Sequence, residues 1–326
     1  MQEGKSGVSY TEISIKGKTI RFPCIIVNDL TIVIRGKWLK VAFIKDEEWI
    51  EPIDDVDPNI IINDLNRNNL KVDILVFSQR LPNTEPKFNY FFEWKNLAVI
   101  HIKGFKEWWD NLPQVTRKNV RRSERRGVLI RTAAFDDDLI NGIVRINNSA
   151  PIRQRFRFTH YGKEFHQVRK DYSEFTERSE YIGAYFQDEL IGFLRLVYMG
   201  KGKIASIMQL LCMPQHYDKR PANALIAKAV DMCAKKGVEY IVYGQLYYHR
   251  NVWAPLAEFK RRNGFCEVNI PVYYVPLSVK GRVAIFIGLH RGLRYLVPKT
   301  GIKLYYWLRK IFFEKISRPV RKEEED

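Results

Sequence analysis

Cys212–Gly237 reads CMPQHYDKRPANALIAKAVDMCAKKG, and the organisation of the chain follows from it. Two apolar, strand-like runs precede it, YIGAYFQDELIGFLRLVYM around the turn Gln187–Asp188–Glu189 and then Ile204–Met213. Beyond Pro221, the residues Leu225, Ile226, Ala229 and Val230 recur at helical spacing, so a strand ends where an amphipathic helix begins. That junction is an anion-binding arrangement, because the first N–H groups of a helix lack acceptors and its dipole favours negative charge there. Lys219 and Arg220 add cationic side chains at the same place. Pro221 suits a first helical position but removes one N–H donor. The plainer alternative is a helix start with no ligand.

Downstream, a strand over Tyr240–Leu246, a helix over Pro255–Asn263 and a strand over Val268–Pro276 complete the pattern. Antiparallel strands followed by strand–helix–strand–helix–strand define an α+β fold with a mixed sheet flanked by helices. Upstream, KEWWDNLPQVTRKNVRRSERRGV is helical apart from Pro113 and ends at Gly127, a C-cap residue. Arg117, Lys118, Arg121, Arg122, Arg125 and Arg126 form two adjacent basic stripes on it. Asp136–Asn148 and Lys163–Ser179 read as two further helices. Residues 10–100 alternate short β-type runs with turns, with one helix expected over Asp57–Asn69. No repeat of fixed period is visible. The expected divisions are a small α+β domain over 1–104, the main domain over 105–278 and a tail over 279–326.

The net charge of +17 is unevenly distributed. Residues 1–100 hold 13 basic and 14 acidic residues, so the excess lies in the later part of the chain. Such a bias suggests a face that meets phosphates, on nucleic acid or anionic lipid, with simple solubility charge as the alternative. The tail carries RVAIFIGLHRGLRYLV and KLYYWLRKIFFEKI, in which aromatics interleave with Lys and Arg. A stretch of this kind over 282–316 suits peripheral contact with an anionic membrane; terminal helices packed on the domain would read the same way. Hydrophobic residues at 46% and charged residues at 28% describe a globular chain. Cys24, Cys212, Cys233 and Cys266 are too scattered for a disulfide framework or a zinc site, so no metal is expected. The N-terminus has no apolar signal region and no run is long enough to span a bilayer. A cytoplasmic protein is expected, peripheral at the inner face of the membrane if the tail engages it.

The opening stretch resembles the donor loop of the GNAT acyltransferase superfamily, whose pattern is Arg/Gln-x-x-Gly-x-Gly/Ala. Aligning Pro214 and Leu225 without a gap puts Tyr217 at the Arg/Gln position, Arg220 at the first glycine and Ala222 at the second. The Arg-Pro step resembles the Fem-type (FemAB-like, BioF2-like) branch, as do RKNVRRSERRGV and LAEFKRRNGF. The resemblance covers roughly 105–278, and residues 1–104 could be a degenerate second GNAT lobe. It implies an acyltransferase that needs no metal. Donor contacts are implied for Leu211, Met213, Lys219, Arg220, Ala222 and Asn223, with the basic helix as a patch for phosphate, tRNA or lipid. Lys260 matches the lysine of the family's Phe-Lys segment; with Tyr243 and Glu258 it forms the candidate catalytic set. Gln245, His249 and His216 lie close by in sequence, and none of these residues stands out as a general base.

The leading expectation is amide formation on an envelope or glycan-precursor amine with acyl-CoA as donor. Arg220 and the basic helix motivate a second, transfer from aminoacyl-tRNA to a peptidoglycan precursor. A third is a catalytically silent scaffold that binds membrane or nucleic acid.

Overall fold

Two tight turns show how the sequence builds the sheet. Asn28–Asp29 and Gln187–Asp188 each place both residues at positive φ, the conformation that closes a two-residue hairpin in register with twisted strands. They join β2 (Lys18–Val27) to β3 (Leu30–Arg35) and β10 (Ser179–Phe186) to β11 (Glu189–Met199). The computed structural model describes residues 8–15, 18–48, 57–153, 156–248 and 254–292.

In chain order the first half contains β1 (Ser9–Ile15), β2, β3, β4 (Val41–Ile44), α1 (Pro58–Arg67), β5 (Ile74–Ser78) and β6 (Phe92–His101). Helices α2 (Phe105–Asn111) and α3 (Gln114–Arg125) follow, then β7 (Leu129–Ala133) and α4 (Asp137–Asn148). A small ribbon of β8 (Ile152–Arg153) and β9 (Phe156–Arg157) leads to α5 (Phe165–Tyr172), β10 and β11. The remainder is β12 (Ile204–Cys212), α6 (Pro221–Lys235), β13 (Tyr240–Val242), α7 (Pro255–Arg262), β14 (Cys266–Pro276) and α8 (Val279–Phe286).

All strands but β8 and β9 join one sheet, in the order β1-β2-β3-β4-β5-β14-β6-β13-β12-β11-β10-β7. The order is palindromic in kind. On one side β2, β3 and β4 are antiparallel and α1 crosses over to a parallel β5. On the other β10, β11 and β12 are antiparallel and α6 crosses over to a parallel β13. Each half is completed by a strand from the other half of the chain. β14 pairs with β5, β6 pairs with β13, and β6 and β14 pair with each other at the centre. The topology therefore repeats where the sequence shows no repeat, because hairpins and crossovers constrain patterns rather than identities. Helices equivalent to α4 and α5 have no counterpart between β1 and β2, which form a direct hairpin.

Side-chain alternation assigns the layers. Leu194 and Leu196 of β11 pack with Leu225, Ile226, Ala229 and Val230 of α6, the stripe read from the sequence. Phe193, on the opposite face, packs with Ile140 and Ile143 of α4 and Val168 of α5. The first half has its own core around Ile61 and Leu65 of α1. The helix expected over 163–179 is shorter, ending at Tyr172 before a single 3-10 turn at Thr176–Arg178. Of the tail, 279–292 is described and 293–326 lies outside the described residues. No helix among the described residues is long and apolar enough to cross a membrane.

Candidate active site

The site is set by the place where β12 and β13 part. They pair in parallel only at Ile204–Ser206 with Tyr240–Val242. At Met208 the register of β12 against β11 shifts by one residue, a β-bulge that bends the strand. β12 then continues beside β11, while the chain after β13 follows β6 instead. The Tyr243 N–H donates to the Ala98 carbonyl at 2.8 Å and the Ala98 N–H to the Gly244 carbonyl at 2.9 Å. One backbone edge of Ile207–Cys212 therefore faces a gap rather than a strand.

Lys260 holds the gap open. It projects from α7, is 1% exposed, and its Nζ donates to the carbonyls of Tyr243 and Gln245, each at 2.6 Å. The same nitrogen lies 4.2 Å from the centre of the Tyr243 ring. Burial lowers the Lys260 pKa from its ordinary value to about 8. Burial also raises the Tyr243 hydroxyl well above its ordinary value, so it is protonated at neutral pH and available as a proton donor. The structure thus brings Lys260 and Tyr243 together. Glu258 is elsewhere, its carboxylate accepting from Arg262 Nε at 2.7 Å across one turn of α7. His249 lies outside the described residues.

The segment aligned with the family's donor loop spans a 3-10 turn, Pro214–Lys219, and the start of α6. Arg220, aligned with the family glycine, has φ +59° and ψ +39°. This is the left-handed conformation that favours glycine, with arginine bearing a strain of about 1–2 kcal/mol. Its side chain is exposed rather than packed into the loop. The Asn223 N–H turns back to the Arg220 carbonyl, and its side-chain amide, 7% exposed, donates to Asn263 Oδ1 at 2.9 Å. Asn223 therefore ties α6 to the end of α7. Ala222 is partly buried against the α6 core, Leu211 packs on the α4–α5 side, and Met213 is buried there too. Lys219 lies 4.6 Å from the centre of the Phe186 ring and 3.6 Å from Asp218, which also pairs with Arg126.

Through that pair and its packing on α6, the basic helix α3 flanks the donor loop. Thr116 and Ser123 are buried and Val120 packs on the α6 core, so the basic residues take the outer face. Arg117 donates to the Asp110 carbonyl at 3.1 Å and Arg121 stands 5.7 Å from the Trp109 ring. Among the described residues no carboxylate lies within ion-pair distance of Lys118, Arg121, Arg122 or Arg125.

On the sheet face away from α6, a small cavity of 70 Å³ sits at the parting, lined by Ser206, Val242 and Gly244 and walled by Glu47, Ser78 and Lys95 of the first half. It adjoins a groove of 1310 Å³ that shares Ser78 and Lys95 and exposes Phe91, Trp94 and Tyr248. Sequence reasoning missed this wall, since nothing local to Glu47 or Ser78 marks them. Among the described residues no cluster of His, Cys, Asp or Glu could hold a metal ion.

A mixed sheet that parts at a bulged strand and leads into a helix N-terminus is the architecture of a GNAT acyltransferase. Residues 146–258 match the Acetyltransferase (GNAT) family. Among solved structures, the C-terminal domain assigned to a lysylphosphatidylglycerol synthetase from Agrobacterium fabrum is similar at 12% identity and TM-score 0.54, over 81% of this chain and 87% of that one. L-PGS from Bacillus licheniformis is similar at 14% identity and TM-score 0.52, over 81% and 87%. FemX is similar at 9% identity and TM-score 0.50, over 86% and 90%. At these identities the likeness is one of fold, and it agrees with the resemblance to the Fem-type branch. No curated protein matches the chain.

Replacing Lys260 by Met keeps the apolar stem but strands two buried carbonyls, with an expected cost of about 1–3 kcal/mol in urea denaturation. The pH dependence is more specific. The unfolded chain keeps this proton up to the ordinary value of 10.5 while the folded chain releases it near 8, so wild-type stability should gain a rising component across that window. Lys260→Met should lack that component; identical pH profiles would contradict the burial described.

Proposed function

We propose that the chain transfers an aminoacyl group from aminoacyl-tRNA to an amine on an envelope or glycan precursor. The observation that carries this reading is the position of α3. From Arg117 to Arg125 the basic face runs for about 12 Å along the helix axis, beside the donor loop, which is longer than a single pyrophosphate needs. A run of unpaired cations suits a phosphodiester track. The likeness in fold to a lysylphosphatidylglycerol synthetase domain and to FemX supports aminoacyl transfer.

The donor ester would enter from the α6 side and present its carbonyl at the gap, where the free backbone edge of Ile207–Cys212 offers N–H groups to the oxyanion. The acceptor amine would approach from the cavity on the opposite face. Its nitrogen bonds to the carbonyl carbon, the ester C–O bond breaks, and one amine proton ends on the departing ribose oxygen. The first half of the sheet does not duplicate the donor site. Its β4–α1 connection carries Asp46, Glu47, Glu48, Glu51, Asp54, Asp55 and Asp57, which would repel phosphate.

Acyl-CoA is the second reading, favoured by the glycine-like backbone at Arg220, which leaves the loop open to a pyrophosphate. The two donors separate by salt dependence. Aminoacyl-tRNA binding should weaken steeply as salt rises, and Arg121→Glu with Arg125→Glu should lower the log–log slope by about 1 per lost phosphate contact. Salt-insensitive binding, or saturation by acyl-CoA but not by aminoacyl-tRNA, would reverse the assignment.

Residues 282–316 are proposed to touch an anionic membrane surface at the inner face. In the described part of this segment, Val283 and Phe286 of α8 and Ile287 just beyond it are exposed. Vesicles containing phosphatidylglycerol should float the intact protein and leave behind a variant ending at residue 281; equal flotation of both would remove this contact.

A further inference from the structure

The transfer needs a proton acceptor, and the groups nearest the gap are committed. Lys260 donates to two carbonyls, Glu258 is held by Arg262 outside, and the Tyr243 hydroxyl is a donor at neutral pH. Across the cavity stands Glu47, from the turn after β4. Its Oε1 accepts the Ser78 N–H at 2.7 Å and its Oε2 accepts the Ser78 hydroxyl at 2.8 Å. The Arg80 guanidinium donates to the Glu47 carbonyl, which fixes the turn from the other side. Glu47 lines the same 70 Å³ cavity as Ser206 and Gly244, the residues at which β12 and β13 separate. The other walls of this cavity are largely apolar, including Leu97, Met199 and Ile270.

We propose that Glu47 is the general base that removes the proton from the attacking acceptor amine. This rests on the acyl-transfer reading above and holds for either donor. As the N–C bond forms, a proton passes from the amine nitrogen to a Glu47 oxygen. When the C–O or C–S bond breaks, the leaving group takes a proton through solvent and Glu47 returns to carboxylate. The two Ser78 bonds orient the carboxylate without occupying all of its lone pairs. Desolvation raises the Glu47 carboxyl above its ordinary value, opposed by Ser78 and by the charges of Arg80 and Lys95. That places it nearer the working pH, where a base is most effective. The other charged or titratable groups on this wall are Glu48, paired with Lys95, and Tyr248, which borders the adjoining groove.

The test uses the full chain, with wild-type turnover on aminoacyl-tRNA and acyl-CoA measured first. Absence of turnover with both overturns the acyl-transfer reading and the assignment of Glu47 with it. Where wild type turns over, Glu47→Gln should lower kcat by about 100-fold or more while donor affinity stays within about twofold. Wild-type kcat should fall as pH drops through the Glu47 pKa, with an acid limb above the ordinary carboxylate range. Glu47→Gln should lose this limb, and Glu47→Asp should retain it at reduced kcat. A Glu47→Gln protein that keeps the wild-type rate overturns the assignment alone. So does one that is slower with the acid limb intact, or one whose rate loss only follows a lowered Tm while Glu47→Asp behaves as wild type.

Discussion

Two parallel strands that stop pairing after a few residues are unstable unless something holds each of them in its new path. Here β12 is held by β11 and bent at Met208, and the chain after β13 is held by β6 and by the Lys260 ammonium. The gap between them carries the account of the site. It leaves one backbone edge of β12 without a strand partner, the 70 Å³ cavity lies beside it on the sheet face away from α6, and Tyr243 and Lys260 meet next to it. Lys260 is supported in turn by the segment that follows it. Asn263 bonds Asn223 of α6, Gly264 sits at φ +86° with Trp108 too close for any Cβ, and Phe265 is buried beside Tyr243.

The exchanged central strands explain how two halves with different fates share one sheet. β6 belongs to the first half of the chain but completes the second half of the sheet, and β14 does the reverse. The half containing β12 has α4, α5 and the loop before α6 beside a basic helix. The other half has a direct β1–β2 hairpin and an acidic connection after β4. That connection includes Glu47 and its β5 ends with Ser78, and both line the cavity wall.

Several of these features were legible in the sequence. The hydrophobic stripe of α6, the break at Pro113 and the tight turn at Gln187–Asp188 are local signals, and each predicts its element. Arg220 was legible as an anomaly, and its backbone is left-handed, the conformation that favours glycine. The Phe-Lys segment pointed to Lys260 but not to its burial, because the carbonyls it binds come from another part of the chain. Asn223 is similar, since its partner Asn263 is 40 residues away and the sequence offers no pairing rule for amides. The insertion of β6 between β13 and β14 was beyond reach, because pairing of distant strands leaves no periodic trace. Glu47 was hidden for the same reason: its neighbours Ser78, Ser206 and Gly244 converge only in the folded sheet.

The most direct test of the gap as the point of transfer is backbone hydrogen exchange, measured across the whole protein with and without aminoacyl-tRNA. The account expects protection at Ile207–Met213 along the free edge of β12, joined by the donor loop at Arg220–Ala224 and the α3 surface. Protection confined to α3, with Ile207–Met213 exchanging as in the free protein, would mean that the donor binds the basic helix without entering the sheet, and would contradict it.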